Sequence, residues 1–367
     1  MTYPYLTSSA LLLTLTTPAF ALEKTDILRT YADIGAAKYA DSAATAHRLQ
    51  DAVNALVADP SAEALQAAKA AWIIARVPYQ QTEVYRFGNP IVDDWEGKVN
   101  SWPLDEGFID YVDASYGGPS DENTFAALNV IANPTFTLSG TQIDATRITP
   151  ELLSDTLHEA DSIEANVATG YHAIEFLLWG QDLNGHEQGA GHRPWTDYAV
   201  GDACTHGNCD RRAAYLTAAT DLLVSDLEWM AAQWAQGGAA RTALTRDTEE
   251  GLAAILTGMG SLSYGEVAGE RMRLGVMLND PEEEHSCFSD NTHNDHYYDG
   301  LGVQSAFLGE YVRVDGTVVS GPSLSDLVAL QDADLDAEMR AKLNLTMTML
   351  ARIKKLFGHT LKSPLKI

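Results

Sequence analysis

The segment that decides the fold is Arg211 to Gln236, RRAAYLTAATDLLVSDLEWMAAQWAQ. Leu216, Thr220, Leu223, Leu227, Met230 and Trp234 recur in it at alternating spacings of four and three, which draws one apolar stripe along a helix. Only Thr220 interrupts that stripe. Working outward, Leu49, Val53, Leu56 and Val57 repeat the pattern before the break Asp59, Pro60, Ser61, and Leu335, Met339, Leu343, Leu350, Ile353 and Phe357 line another face. Helix starts are legible at Ser61 and at Thr149, Pro150, Glu151, where a capping hydroxyl, a first-turn proline and an acid near the helix dipole agree. The chain reads as mainly α.

Two strand signals interrupt the helices. Tyr311 to Val314 and Thr317 to Val319 bracket Asp315 and Gly316, a dipeptide suited to a type I′ hairpin, and Phe136 to Leu138 before Ser139 and Gly140 form a poorer one. A capped helix follows each, from Thr149 and from Ser323. The triplet Glu83, Arg86, Gly88 returns as Glu270, Arg273, Gly275, and Asn166 to Gly180 can be laid over Asn344 to Gly358. This shared order predicts an all-α fold of two related four-helix-bundle-like domains, made by internal duplication and carrying small β-hairpins. Residues 22–182 are then the first domain, 183–210 a Gly-rich linker and 211–367 the second domain. Chance likeness between helical patterns is the competing reading.

Composition bounds the function. With 367 residues, 46% hydrophobic, the chain can bury a large core and is neither a disordered nor a disulfide-scaffold sequence. Its 24 Lys and Arg against 51 Asp and Glu leave a net charge of -27, which repels phosphate backbones and anionic lipid and favours cationic ligands. No nucleic-acid partner is expected. Residues 1–21 read as a signal peptide: Ser9 to Leu15 are largely apolar, and Ala19, Phe20, Ala21 form an A-x-A cleavage pattern. Met1 to Leu6 carries no Lys or Arg, so an apolar N-terminus that stays attached is the alternative. No later stretch reaches the ~18 apolar residues of a membrane-spanning helix, which predicts a soluble protein in an extracytoplasmic, periplasm-like compartment. Export makes a disulfide between Cys204 and Cys209 plausible, with Cys287 left over. A metal site from Cys204, Cys209 and His206 competes with it but lacks a fourth ligand nearby.

The chemistry centres on Gly170, Tyr171, His172, Ala173, Ile174, Glu175. Three residues apart on a helix, the His172 imidazole and the Glu175 carboxylate can converge on one cation while Gly170 leaves room for backbone beside them. A hydrogen-bonded core pair explains the same residues. The stretch laid over them has Leu350 and Ile353 at the matching positions, so a helix of this kind does not need the polar groups. Burying an unpaired carboxylate costs several kcal/mol.

The GxHxxE stretch, with RFGNPIVDDWEGKVNSWPLDEGFIDYV (86–112), GSLSYGEVAGERM (260–272) and HSCFSDNTHNDHYYD (285–299), closely resembles the imelysin family, iron-regulated exported proteins also classed as M75 peptidases. That resemblance implies two related helical bundles, an extracytoplasmic location, a link to iron uptake and a metal or functional site at Gly170, His172 and Glu175 near the domain interface. Uptake in turn implies a membrane transport component as receiving partner and is compatible with outer-membrane association. The peptidase label does not follow from the residues. A zincin needs HExxH, yet Ser162 stands where His158 and Glu159 would need a second His, and Ala190 where His186 and Glu187 would. Binding therefore outranks hydrolysis, with a metal-dependent peptidase and a metal-free envelope scaffold as rivals.

Further ligands must come from elsewhere. Glu83 and Glu270 are candidates, each with an arginine, Arg86 or Arg273, one turn away; the same pairs read equally well as intrahelical ion pairs. Trp102, Asp105 and Asp110 face the ligand or form turns. His285, His293 and His296, in a stretch rich in Asp290, Asp295 and Asp299, make a second constellation or a solvated loop. Carboxylates with imidazole suit iron and also zinc or manganese. Haem stays open because an axial His needs no local signature, although no C-x-x-C-H attachment motif is present.

Overall fold

The computed structural model describes residues 22–280 and 283–357; the expected signal peptide lies outside them. Helix α1, Lys24–Ala58, packs along α2, Ala62–Gln80, on one side and along α7, Cys209–Trp234, on another. Between α2 and α7 come α3 (Pro90–Asn100), α4 (Glu106–Ile109), a hairpin of β1 (Thr135–Leu138) and β2 (Thr141–Asp144), α5 (Pro150–Leu152) and α6 (Gly170–Trp179). After α7 the chain forms α8 (Ala239–Arg246) and α9 (Thr248–Gly260). It continues through Ser261–Leu274, wound wider with i to i+5 bonding, into α10 (Gly275–Leu278). Then follow α11 (Thr292–Leu308), the β3 (Glu310–Val312) and β4 (Val318–Ser320) hairpin, α12 (Leu324–Gln331) and α13 (Ala333–Phe357). The fold is all-α with two small hairpins, as its periodicity requires.

The deciding stripe is buried along its length. Leu216, Thr220, Leu223, Leu227, Met230 and Trp234 all face inward, and the Thr220 hydroxyl donates to the Leu216 carbonyl at 2.7 Å, so the one polar member is satisfied within its own helix. Trp234 stacks on Tyr39 and meets Tyr85 edge-on. Removing so large a buried ring costs about 3–5 kcal/mol. Both expected caps form: Ser61 accepts from the Ala64 amide and Thr149 from the Leu152 amide.

Because α7 lies against α1, helices on either side of the expected linker share one core. Residues 183–210 are themselves clamped. Arg193 pairs with Asp110 at 2.8 Å and with Asp197 at 3.1 Å, all three buried. Cys204 and Cys209 form the disulfide, which consumes both thiolates, while His206 turns to Asp197 at 2.6 Å. The alternative metal site at this loop is thereby removed.

The type I′ turn expected at Asp315 and Gly316 forms at the other hairpin instead. Ser139 and Gly140 both take positive φ, 52° and 78°, between the paired Leu138 and Thr141, so the poorer signal forms the type I′ turn. At the other hairpin only Gly316 is left-handed, with φ 83°, and the Arg313 amide bonds to the Thr317 carbonyl. This is a turn closed by a glycine bulge, not type I′. Asp315 instead accepts from the amide and hydroxyl of Thr317, which holds it out of the left-handed region.

Candidate functional site: a buried polar network between α6 and α11

Helix α6 is buried at all ten positions, Gly170 to Trp179. Its start needs a glycine. Gly170 has φ +80° and a Cβ there would sit 2.5 Å from the Val99 carbonyl oxygen at the end of α3. The Trp72 indole donates to the Tyr171 carbonyl at 2.9 Å and fixes the helix against α2. Held this way, His172 and Glu175 do meet: Nδ1 of the imidazole lies 3.0 Å from Oε2 of the carboxyl, with both side chains inaccessible to solvent. The other carboxyl oxygen accepts from the Ser289 amide at 2.9 Å and the Ser289 hydroxyl at 2.6 Å. Glu175 therefore stands behind the imidazole instead of beside it.

His285 completes the arrangement. Its ring lies edge-on to that of His172 with centroids 4.9 Å apart, and the half-buried Trp102 ring packs against it at 5.8 Å. His285 Nδ1 is 3.1 Å from Oδ2 of Asp295. Two imidazoles thus sit side by side, each backed at Nδ1 by a buried carboxyl group. A partner of this kind fixes tautomer and ring orientation in metal-binding histidines. Nε2 of His172 is buried and has no hydrogen-bond partner, and the same holds for Oε1 of the neighbouring Gln80. Buried polar atoms in that condition are uncommon and need a reason.

Arg76, inside the apolar run of α2, ties the network together. Its Nη2 lies 3.3 Å from Asp295 Oδ2, and its Nη1 donates to Asn100 at 2.6 Å, which donates in turn to Glu96 at 2.9 Å. Ser286 and Asn291 also donate to Asp295. One turn further along α11, Asp299 pairs with Arg271 at 3.1 Å, and Arg271 pairs with Glu83 at 2.9 Å.

Burial sets the protonation. It pushes the Glu175 carboxyl up to about 8 against the opposing Ser289 hydrogen bond, lowers His172 well below its ordinary value with help from His285 and Arg76, and lowers His285 to about 3. Burial also works to raise Asp295, but Arg76, His285 and Ser286 outweigh it and hold that carboxylate well below the usual range. Near neutral pH the site holds two uncharged imidazoles and one ion pair, Arg76 with Asp295. Among the described residues no three His, Cys, Asp or Glu side chains are arranged to hold a metal ion, because both carboxyl groups are turned to imidazole nitrogens.

The other expected residues divide clearly. Glu83 is buried, but its partner is Arg271 and not Arg86, which pairs with Asp93 and Glu96. Glu270 and Arg273 are exposed, because Val267 and Arg271 occupy the inward side of the wide helix. Neither joins the site. Asp105 accepts from Tyr116 and Asn123 and closes a loop, and Asp110 clamps Arg193 and Arg212. The 285–299 stretch is not one solvated loop: Thr292 onward is helix, and Asp295, His296 and Asp299 are buried on it. Of its three histidines only His285 touches His172. His296 is buried with Nδ1 unpartnered, and half-buried His293 contacts Asn294. Sequence reading missed Arg76, Gln80, Asn100 and Ser289. A lone Arg inside AAWIIARVPY was a usable signal, since a buried cation requires a carboxylate.

Residues 35–366 match the model of the imelysin family, Peptidase_M75. A curated relative, iron-regulated protein A of Synechococcus elongatus, is 36% identical over 67 residues, 18% of this chain and 19% of that protein. The match thus spans about a fifth of the relative's length. A crystal structure assigned as an iron-regulated protein A precursor from Parabacteroides distasonis superposes with a TM-score of 0.64 over 91% of this chain and 87% of that one, at 16% identity, a likeness of fold. By the extent of the family match, this chain is a member of the imelysin family.

Proposed function

We propose that the protein is exported and serves iron uptake by binding iron, or a small iron-bearing ligand, at the GxHxxE site between α6 and α11. The observation that carries this reading is the buried, unpartnered Nε2 of His172, backed at Nδ1 by Glu175 and flanked by a second imidazole with the same support. With two imidazoles and no third protein ligand among the described residues, iron bound here would take its remaining oxygen or nitrogen donors from outside the protein. Zinc and haem are competing occupants. Kinship to proteins named for iron regulation supports the same direction. The Cys204 to Cys209 disulfide favours an oxidising compartment, and no helix of the described residues is long and apolar enough to cross a membrane. A membrane transport component would receive the cargo.

Binding is favoured over hydrolysis. Glu175, the acid of the motif, is engaged by His172 and twice by Ser289, so it is not poised as a general base. Calorimetric titration with Fe(II), ferric citrate, Zn(II) and haem tests the reading. Tightest binding is expected for an iron species, weakened at least about tenfold, 1.4 kcal/mol, by His172→Ala or His285→Ala. Chelator-sensitive cleavage of a protein substrate, lost on Glu175→Gln, would replace this reading with a peptidase. Absence of any metal or haem binding would leave a scaffold.

A further inference from the structure

The chain's charge is unevenly placed. Residues 339–367 hold seven of its 24 Lys and Arg and none of its 51 Asp and Glu. Most of that segment is the second part of α13, which packs on α11 and α12 through Leu343 and Leu350. The opposite side is open: Leu345, Met349 and Leu356 are 57%, 45% and 66% exposed. Spaced by four and seven residues, they form one stripe, with Arg352 inside it and Lys342 and Lys355 at its margins. All three cations are exposed, and Lys342 is paired only with Glu338 at the beginning of the stripe.

We infer that this face of α13 docks on an anionic phospholipid surface. An apolar stripe edged by Lys and Arg on a helix too polar to insert is the pattern that lies in a membrane interface. Here the helix presents its only all-basic length to that interface. A second copy docking through the same face would bring another basic helix against it, whereas a negatively charged sheet of headgroups complements it in charge. The remainder of the molecule is strongly acidic, but its repulsion is screened beyond about 8 Å at physiological salt. Asp332, Asp334 and Asp336 lie at the start of α13, so the contact runs through the half that follows Met339. Such docking would hold an uptake protein beside the membrane without a spanning helix.

The test is co-sedimentation of the full mature chain with vesicles. Binding is expected to vesicles of phosphatidylcholine with about half phosphatidylglycerol, little to pure phosphatidylcholine, and to fall steeply as salt rises. Charge reversal in Arg352→Glu with Lys355→Glu, and polar replacement in Leu345→Ser with Met349→Ser and Leu356→Ser, should each weaken binding at least about tenfold. Equal binding to both vesicle types, no binding of the wild type, or unaffected variants would overturn the inference. So would a dimer in sedimentation equilibrium that the triple serine variant dissolves, because the stripe would then belong to a second copy. Iron titration of these variants should match the wild type, which separates failure here from failure of the iron reading.

Discussion

Helix α6 and the corresponding stretch of α13 can be laid over one another in sequence, yet they live in opposite surroundings. Every residue of Gly170–Trp179 is buried, whereas at 348–356 only Leu350 is, with Met349 and Leu356 open to solvent. Identical periodicity therefore serves two purposes. In α6 only protein groups can serve the buried polar atoms: Glu175 is met by His172 and Ser289, while Nε2 of His172 is left without a partner. In α13 Arg352 and Lys355 are exposed. Its chemistry is directed outward. Substitution at paired positions should expose this contrast.

The largest difference is expected at the arginines. Arg76→Met strips the buried Asp295 of its cation and should cost about 3–5 kcal/mol in urea unfolding, while Arg352→Met should change little, within about 0.5 kcal/mol. Similar losses at both positions would end the contrast. Next comes the backbone: Gly170→Ala combines a positive φ with a clash on Val99 and should lose about 2–4 kcal/mol. At the aligned Thr348, exposed on α13, alanine should be neutral or slightly stabilising.

A third difference is pH-dependent. The carboxyl of Glu175 is raised from 4.5 to about 8 on folding, so the native state holds a proton that the unfolded chain releases. Its stabilisation is complete below pH about 4.5 and is lost as pH climbs through about 8. Glu175→Gln should flatten that decline by an amount on the order of 1–3 kcal/mol between pH 5 and 9. Ile353→Gln should leave the slope unchanged. The smallest effect is that of Leu345→Ser, within about 0.5 kcal/mol because its side chain is already in water.

What sequence could supply follows the physics of each region. The α7 stripe and the caps at Ser61 and Thr149 are local, and they stand where periodicity and side-chain capping put them. His172 and Glu175 converge because i and i+3 share a helical face. What surrounds them is nonlocal: Arg76 arrives from α2, His285 and Ser289 from the turn before α11, and no spacing reports that encounter. The Asn- and Asp-rich run before Tyr297 concealed a helix, since its acids are buried against Arg76 and Arg271 and not solvated. Glu270 and Arg273 copied the Glu83 and Arg86 spacing while Arg271 between them took the inward position.

The iron content of protein purified without chelator or affinity metal, measured by elemental analysis, bears most directly on the paired imidazoles. The wild type should carry iron in a fixed ratio to chain, and folded His172→Ala, checked by circular dichroism, should carry almost none. Equal iron in both proteins, or none in wild type from iron-replete cells, would contradict the assignment of His172 as the iron-facing ligand.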